Sequence, residues 1–108
     1  MSKANLIQID NPPEGWSADP DELAYDEQWA KDDSVGQKYC QDWGVGKGRP
    51  VLCNDEFAEL IFEAEGKFYM WYQIGDSVSK IVSPADLDGI LDVLRSKGPK
   101  GLKMSNRI

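Results

Sequence analysis

The chain has 108 residues and a formal net charge of −7 at pH 7, with 41% hydrophobic and 29% charged residues. This length suits one hydrophobic core, so we expect a single domain over residues 1–108. The lack of histidine excludes mixed Cys/His metal sites, and the lack of a long apolar run excludes a membrane helix. No amino-terminal segment resembles a secretion signal, so the expected location is the cytoplasm.

The first third of the chain predicts two helices. An apolar alternation at residues 6–9 is long enough for an edge strand. Residues 19–22 (Asp-Pro-Asp-Glu) then combine a capping acceptor, a proline and a carboxylate, which predicts a helix over residues 20–32. A second helix is predicted over residues 34–43. Both helices have thin apolar faces, so we expect them to lie against the sheet.

A glycine-rich loop follows, from Gly44 to Pro50, with Lys47 and Arg49 between its glycines. Bare backbone amides and two cations suit an anion, so phosphate binding is one alternative for this loop. The loop lacks the G-x-x-x-x-G-K-[ST] pattern, and a plain connection is the simpler interpretation. Residues 51–53 are expected to form a short strand after it.

Residues 57–74 predict a β-hairpin. The stretch 57–64 fits either a helix capped by Asn54 or a strand. The β-rich run at 68–72, together with a glycine between the two stretches, favours the strand. A third strand is expected at residues 78–82.

The register of this hairpin is predicted from burial. A three-residue loop at residues 64–66 would pair Phe62 with Phe68 and leave one face of the hairpin uncharged. That face contains Ala58, Leu60, Phe62, Phe68, Met70 and Tyr72. A shift of one residue would place Glu59 and Glu63 among the apolar residues of the second strand, so we expect the first register.

A helix is predicted over residues 84–97. Ser83 and Pro84 resemble a capped helix start, and apolar residues at positions 87, 90, 91 and 94 form a stripe along one face. Residues 98–108 are rich in Gly, Pro and Lys and are expected to form a mobile basic tail or a strand that becomes ordered only on contact. Together these elements predict an α+β domain. Its mainly antiparallel sheet would have three to five strands, with the carboxyl-terminal helix on one face and the amino-terminal helices on the other.

Cys40 and Cys53 are the only cysteines of the chain. Their spacing matches neither a C-x-x-C redox pair nor half of a zinc site. No other feature indicates an oxidising compartment. We therefore expect two free, buried thiols.

Charge is distributed unevenly along the sequence. Between Asp10 and Asp33 nine acidic residues accompany the single base Lys31, whereas five bases and no acid follow from Arg95 onward. An acid-rich surface attracts a basic one, so we expect a module that docks on a basic surface of a partner protein, for example a nucleic-acid-binding site. Inhibitors, immunity or anti-defence proteins and adaptors are of this physical type.

The residues expected to bind the partner are Asp21, Glu22, Asp26, Glu27, Trp29, Tyr69 and Trp71. The acids would speed encounter and the aromatic residues would hold the complex. Burial beneath the amino-terminal helices is a second interpretation of Tyr69 and Trp71. We expect no cofactor, no metal, no direct nucleic-acid contact and no membrane contact. The lack of histidine also disfavours catalysis.

Two alternatives to the binding module stay open. One is a small enzyme or nucleotide-binding domain that uses the loop from Gly44 to Arg49, and the other is a structural subunit of a larger assembly. The sequence leaves the oligomeric state undetermined.

Overall fold

A computed structural model describes residues 6–107; residues 1–5 and 108, which belong to the predicted domain and tail, lie outside it. The elements in chain order are α1 (Tyr25–Gln28), α2 (Val35–Trp43), β1 (Gly48–Asn54), β2 (Glu59–Ala64), β3 (Lys67–Tyr72), β4 (Ser77–Ser83), α3 (Leu87–Ser96), a 3-10 helix (Pro99–Gly101) and β5 (Lys103–Ser105). The five strands form one antiparallel sheet in the order β1-β2-β3-β4-β5. The predicted α+β class is confirmed.

Both faces of the sheet are buried. On one face α1 and α2 pack over Trp29, Phe62 and Trp71, and on the other face α3 packs over Ile61 and Met70. Successive residues of a strand point to opposite faces, so each central strand contributes to two separate cores. Burial on both faces explains why β2 and β3 are so continuously apolar.

The hairpin is formed by strands, as predicted, but its predicted register is wrong by one residue. The connection between β2 and β3 is a two-residue turn at Glu65 and Gly66, whose φ angles are 54° and 83°. Two positive φ angles give the turn whose twist matches the flanking strands. Phe62 therefore pairs with Tyr69 rather than with Phe68. The side chains of β2 and β3 that were expected to share one face of the hairpin therefore lie on opposite faces.

The two glutamates that disfavoured this register are accommodated individually. Glu63 Oε1 accepts a hydrogen bond from Arg49 Nε at 2.7 Å, and its Oε2 accepts one from the Gly66 N–H at 2.7 Å. Glu59 lies opposite Tyr72 at the end of the strand, where it stays half-buried. An ion pair and a terminal position thus permit a register that the apolar pattern alone rejects.

The predicted helix at 84–97 begins later than expected, at Leu87, with Asp86 at its N-cap position. Ser83 is instead the last residue of β4, and its peptide bond to Pro84 is cis. Ser83 and Pro84 therefore do not cap the helix, and they lie where β4 passes into the connection to α3. The apolar stripe is confirmed, since the residues buried on α3 are Ile90, Leu91 and Leu94.

Of the amino-terminal helices, α2 matches the prediction at 34–43 closely, whereas α1 is much shorter than the predicted 20–32. Asp19 Oδ1 does accept a hydrogen bond from the Asp21 N–H at 2.9 Å, as at a helix start. Ala24 then adopts a left-handed conformation with φ of 54°, which interrupts the helix. Residues 6–9 form no strand.

The segment 98–108, expected as a mobile tail, belongs to the fold as far as Ser105. Leu102 is buried in the core beneath α3, and β5 pairs with β4 through contacts that include Lys80 and Ile81. The sequence left this segment open between a tail and a strand because Leu102 and Met104 are too few apolar residues to reveal a strand period.

Gln37 joins three parts of the structure through its buried carboxamide. Its Nε2 donates to the carbonyl oxygen of Gly48 at 2.7 Å and to that of Trp29 at 2.8 Å, while its Oε1 accepts from the Gly48 N–H at 3.0 Å. The side chain is only 3% exposed. α2, the end of α1 and the start of β1 are thereby held in one arrangement.

The edge of β1 that faces away from β2 is hydrogen-bonded near both of its ends. The Gln37 side chain is hydrogen-bonded to the N–H and the carbonyl oxygen of Gly48. Ser17 and Cys53 form two backbone hydrogen bonds with each other, both of 2.9 Å. Between these contacts lies Pro50, which has no N–H to offer. An edge that is bonded near both ends and has a proline between them is a poor partner for another strand.

We predict that Gln37→Ala lowers the free energy of unfolding by about 2–4 kcal/mol, because three buried backbone groups lose their partner. The matched control is Gln41→Ala, one turn further along α2 at an exposed position. Urea unfolding followed by tryptophan fluorescence measures both. Equal midpoints for the two variants would contradict the role given to Gln37.

Candidate functional site

The four acidic residues expected to bind a partner are all exposed. Asp21 and Glu22 lie in the turns before α1, and Asp26 and Glu27 lie in its first turn. α1 is oriented by Trp29, the residue after its end, whose indole enters the core and whose carbonyl oxygen is bonded to Gln37. The acids therefore lie on the outer side of a segment that is anchored from within.

The three aromatic residues expected as anchors are buried instead. Trp29, Tyr69 and Trp71 are 1%, 5% and 3% exposed. They lie in the core beneath α1 and α2, where the Trp29 and Trp71 rings form an edge-to-face pair with centroids 5.9 Å apart. Burial, the second interpretation of Tyr69 and Trp71, is the one that the structure shows, and no partner can reach these rings in the folded protein.

The indole N–H groups of Trp29 and Trp71 are buried without a hydrogen-bond acceptor among the described residues. Trp71 forms edge-to-face pairs with both Trp29 and Trp43, each at an interplanar angle of 73°. In this geometry a ring edge faces a π system, which is a weak acceptor for N–H. The aromatic cluster thus serves the core rather than a binding surface.

Acids from two parts of the chain meet around Cys53. Burial, together with the nearby carboxylates of Asp55, Glu22 and Asp19, raises the pKa of its thiol to about 11. Its Sγ also lies 3.6 Å from the carbonyl oxygen of Glu22. The amino-terminal acids and the β1–β2 turn therefore form one continuous region. We call it the acidic surface, defined by the exposed residues Asp19, Asp21, Glu22, Asp26, Glu27 and Asp55.

Two large apolar side chains are exposed at the end of the sheet that continues this surface. Phe57, in the β1–β2 turn, is 61% exposed, and Ile74, in the β3–β4 turn, is 84% exposed. The two turns are joined, because the Gln73 N–H donates to the Ala58 carbonyl oxygen at 2.9 Å. Two neighbouring turns thus present apolar groups to the solvent.

Only acidic charges accompany these apolar side chains in the two turns. The charged residues there are Asp55, Glu56 and Asp76, and the Tyr39 hydroxyl of α2 donates to Asp76 Oδ2 at 2.8 Å. We call this region the turn end, defined by Asp55, Glu56, Phe57, Ile74 and Asp76. Sequence reasoning missed Phe57 and Ile74 because it placed both within the hairpin strands. In the sequence, Phe57 and Ile74 lie beside Asp55-Glu56 and Gly75-Asp76, and these turn-forming residues could have indicated that both side chains lie in turns.

The groups of the glycine-rich loop are already engaged. Both backbone groups of Gly48 are bonded to Gln37. Lys47 Nζ lies 3.4 Å from Asp32 Oδ1, and Arg49 pairs with Glu63. Each of the two cations expected to attract a phosphate thus faces a carboxylate, so this loop lends little support to a nucleotide site.

Cys40 and Cys53 are both free and buried, as predicted. Burial raises the pKa of the Cys40 thiol to about 12, and that of Cys53 is also raised. Thiolate is the reactive form of cysteine, and it is scarce at neutral pH when the pKa is this high. Neither thiol has the character of a nucleophile.

Within residues 6–107, no group of three or more His, Cys, Asp or Glu side chains is arranged to hold a metal ion. None of the helices in that part of the chain has the length and apolar character needed to cross a membrane. Comparison of the chain with protein-family models, curated protein sequences and solved structures gave no match. The function is therefore inferred from the surface alone.

Glu59, beside the turn end, makes stability depend on pH. Its Oε1 is buried without a hydrogen-bond partner among the described residues, and this burial raises the pKa of its carboxyl above the ordinary value of 4.5. A raised pKa favours the protonated form in the folded state. Below the ordinary pKa the carboxyl is protonated in both states, so its burial carries no cost of a buried charge. The folded protein then loses stability as pH rises through the folded-state pKa of this carboxyl.

We predict that Glu59→Gln stabilises the protein at about pH 7 and loses this advantage at about pH 4, where the parent carboxyl is protonated in both states. Urea midpoints across this range measure the difference between the two proteins. The control is Glu56→Gln, at an exposed position. A Glu59→Gln advantage that does not change with pH would show that charge burial is not its cause.

Proposed function

We propose that this protein binds another protein, with the acidic surface and the turn end docking on a basic surface of the partner. The observation that carries the proposal is the presence of Phe57 and Ile74, exposed in adjacent turns whose only charged residues are acidic. An apolar centre with a polar rim is the usual anatomy of a protein interface. The acids speed encounter and the apolar side chains slow dissociation.

The proposed activity is occlusion or recruitment, without catalysis and without a cofactor. A small acidic domain that covers a basic surface, such as the nucleic-acid-binding site of another protein, acts as an inhibitor, an immunity or anti-defence protein, or an adaptor. A cytoplasmic location belongs to the same proposal. Two free buried thiols support it, because thiols persist in a reducing compartment.

The proposal predicts that a short arginine-rich peptide with a central tryptophan binds at these surfaces. In an NMR titration, amide shifts should cluster at residues 19–27, 55–57 and 73–76. Combined replacement by Asn or Gln of Asp21, Glu22, Asp26 and Glu27 should weaken binding about tenfold, or about 1.4 kcal/mol. Its effect should fall mainly on the association rate and shrink as salt rises.

The matched control removes four negative charges from exposed positions elsewhere. Two of these residues, Asp10 and Glu14, lie near Asn11, whose carbonyl oxygen accepts a hydrogen bond from Arg95 at the end of α3. The other two, Asp88 and Asp92, lie on α3 itself. We expect this control to bind nearly as well as the parent. Equal losses in the two quadruple variants would mean that net charge, and not the acidic surface, attracts the peptide.

A separate prediction concerns the apolar centre. Phe57→Ser combined with Ile74→Ser should raise the dissociation rate of the same peptide while leaving its association rate unchanged, because charge controls encounter and apolar contact controls residence. Both side chains are mostly exposed, so the fold should be unaffected. Stopped-flow fluorescence measures the two rates. Unchanged dissociation would remove the turn end from the interface.

A further inference from the structure

A second surface, unused by the proposed function, lies where the sheet is not covered. The core beneath α1 and α2 contains residues of β1, β2 and β3, whereas Val78 is the residue of β4 that packs against it. Further along β4, Val82 is 50% exposed. The half of this face that β4 and β5 form is therefore open in the part of the chain that the structure describes.

Three lysines project from this open region, one on each of β3, β4 and β5. Lys80 pairs with Tyr69 and shares its face, and Lys67 lies two residues before Tyr69 on the same face. Lys103 precedes Met104, which packs in the opposite core, so Lys103 points to the open side. We call Lys67, Lys80, Val82 and Lys103 the lysine face.

Few acids accompany these cations; the nearest along the chain is Glu65, in the turn two residues before Lys67. The sequences of β3, β4 and β5 contain no acidic residue, and within residues 6–107 none of the three lysines forms a salt bridge. The chain as a whole carries a net charge of −7. The molecule is thus strongly polarised, with a small positive face on an otherwise acidic protein.

The lysine face and the turn end complement each other. The first has three cations with an exposed valine, and the second has three carboxylates with the exposed Phe57 and Ile74. The turn end lies before the first residue of β4, whose seven residues span about 20 Å. Lys67, Val82 and Lys103 lie toward the other end of the sheet, and Lys80 lies in the middle of β4. One copy of the chain therefore cannot place its own lysine face on its own turn end.

We propose that the lysine face of one copy docks on the turn end of a second copy. The contact joins two different surfaces, so each copy keeps one of them free for a further neighbour, and assembly continues beyond a dimer unless a ring closes. Screening by salt weakens such a contact. Self-association also covers the turn end, so a basic partner and a second copy compete for it.

Sedimentation velocity at rising protein concentration tests the proposal. At low salt the weight-average mass should rise past that of a dimer, and at high salt it should return to that of the monomer. Persistence of the monomer throughout would overturn the proposal, as would a dimer that the charge-reversed variants described next form equally well. A failure here leaves the peptide-binding prediction intact, because that titration is carried out on the monomer.

Charge reversal identifies the two faces. Lys67→Glu, Lys80→Glu and Lys103→Glu combined should weaken self-association about tenfold or more. Asp55→Lys, Glu56→Lys and Asp76→Lys combined should weaken it to a similar extent. An equimolar mixture of the two variants should assemble again, because each reversed face then meets its complement. The matched control reverses three exposed lysines elsewhere, Lys31, Lys97 and Lys100, and should keep the parent behaviour.

Further outcomes keep the proposal falsifiable. If the Glu variant of the lysine face does not fold, as judged by circular dichroism, Lys→Gln at the same three positions removes the charge more gently and should still reduce assembly. Failure of the mixed variants to assemble would overturn the pairing of these two faces. Binding of a labelled single-stranded oligonucleotide that the lysine-face variant loses, without self-association of the parent, would assign the face to nucleic acid instead.

Discussion

The buried carboxamide of Gln37 is the contact on which the arrangement of this fold depends. It satisfies both backbone groups of Gly48 and the carbonyl oxygen of Trp29, so it ties α2, the end of α1 and β1 to one another. The approach is close because Gly48 has no side chain: a Cβ there would lie 2.7 Å from the Cys40 Sγ. The acidic segment before Trp29 takes its position from this contact.

The structural role and the proposed binding role are divided among the apolar residues according to position. Trp29, Tyr69 and Trp71 fill the core beneath α1 and α2, whereas Phe57 and Ile74 lie in turns and face the solvent. A large aromatic residue in a strand that is buried on both faces has no route to a partner. Exposed apolar side chains in turns, held on a rigid sheet, are available for contact without any loss to the core.

The sheet also sets the distance between the two charged regions of the molecule. The turn end lies at one end of β4, and the lysine face extends from the middle of β4 toward its other end, on a scaffold of hydrogen-bonded strands. A rigid separation prevents the acidic and basic regions from neutralising each other within one copy. They remain available for intermolecular contacts, whose strength then depends on salt.

The sequence by itself determined the extent of α2, the apolar stripe of α3 and the strand character of β2 and β3. The stripe of α3 follows from a local period of apolar residues, and the strand character follows from a β-rich run beside a glycine. Only the tertiary structure decided the register of Phe62 with Tyr69, the burial of Trp71 and the exposure of Ile74. Register depends on how both faces of the sheet are covered and on the ion pair between Arg49 and Glu63. These contacts join residues far apart in the chain, and no local pattern specifies them.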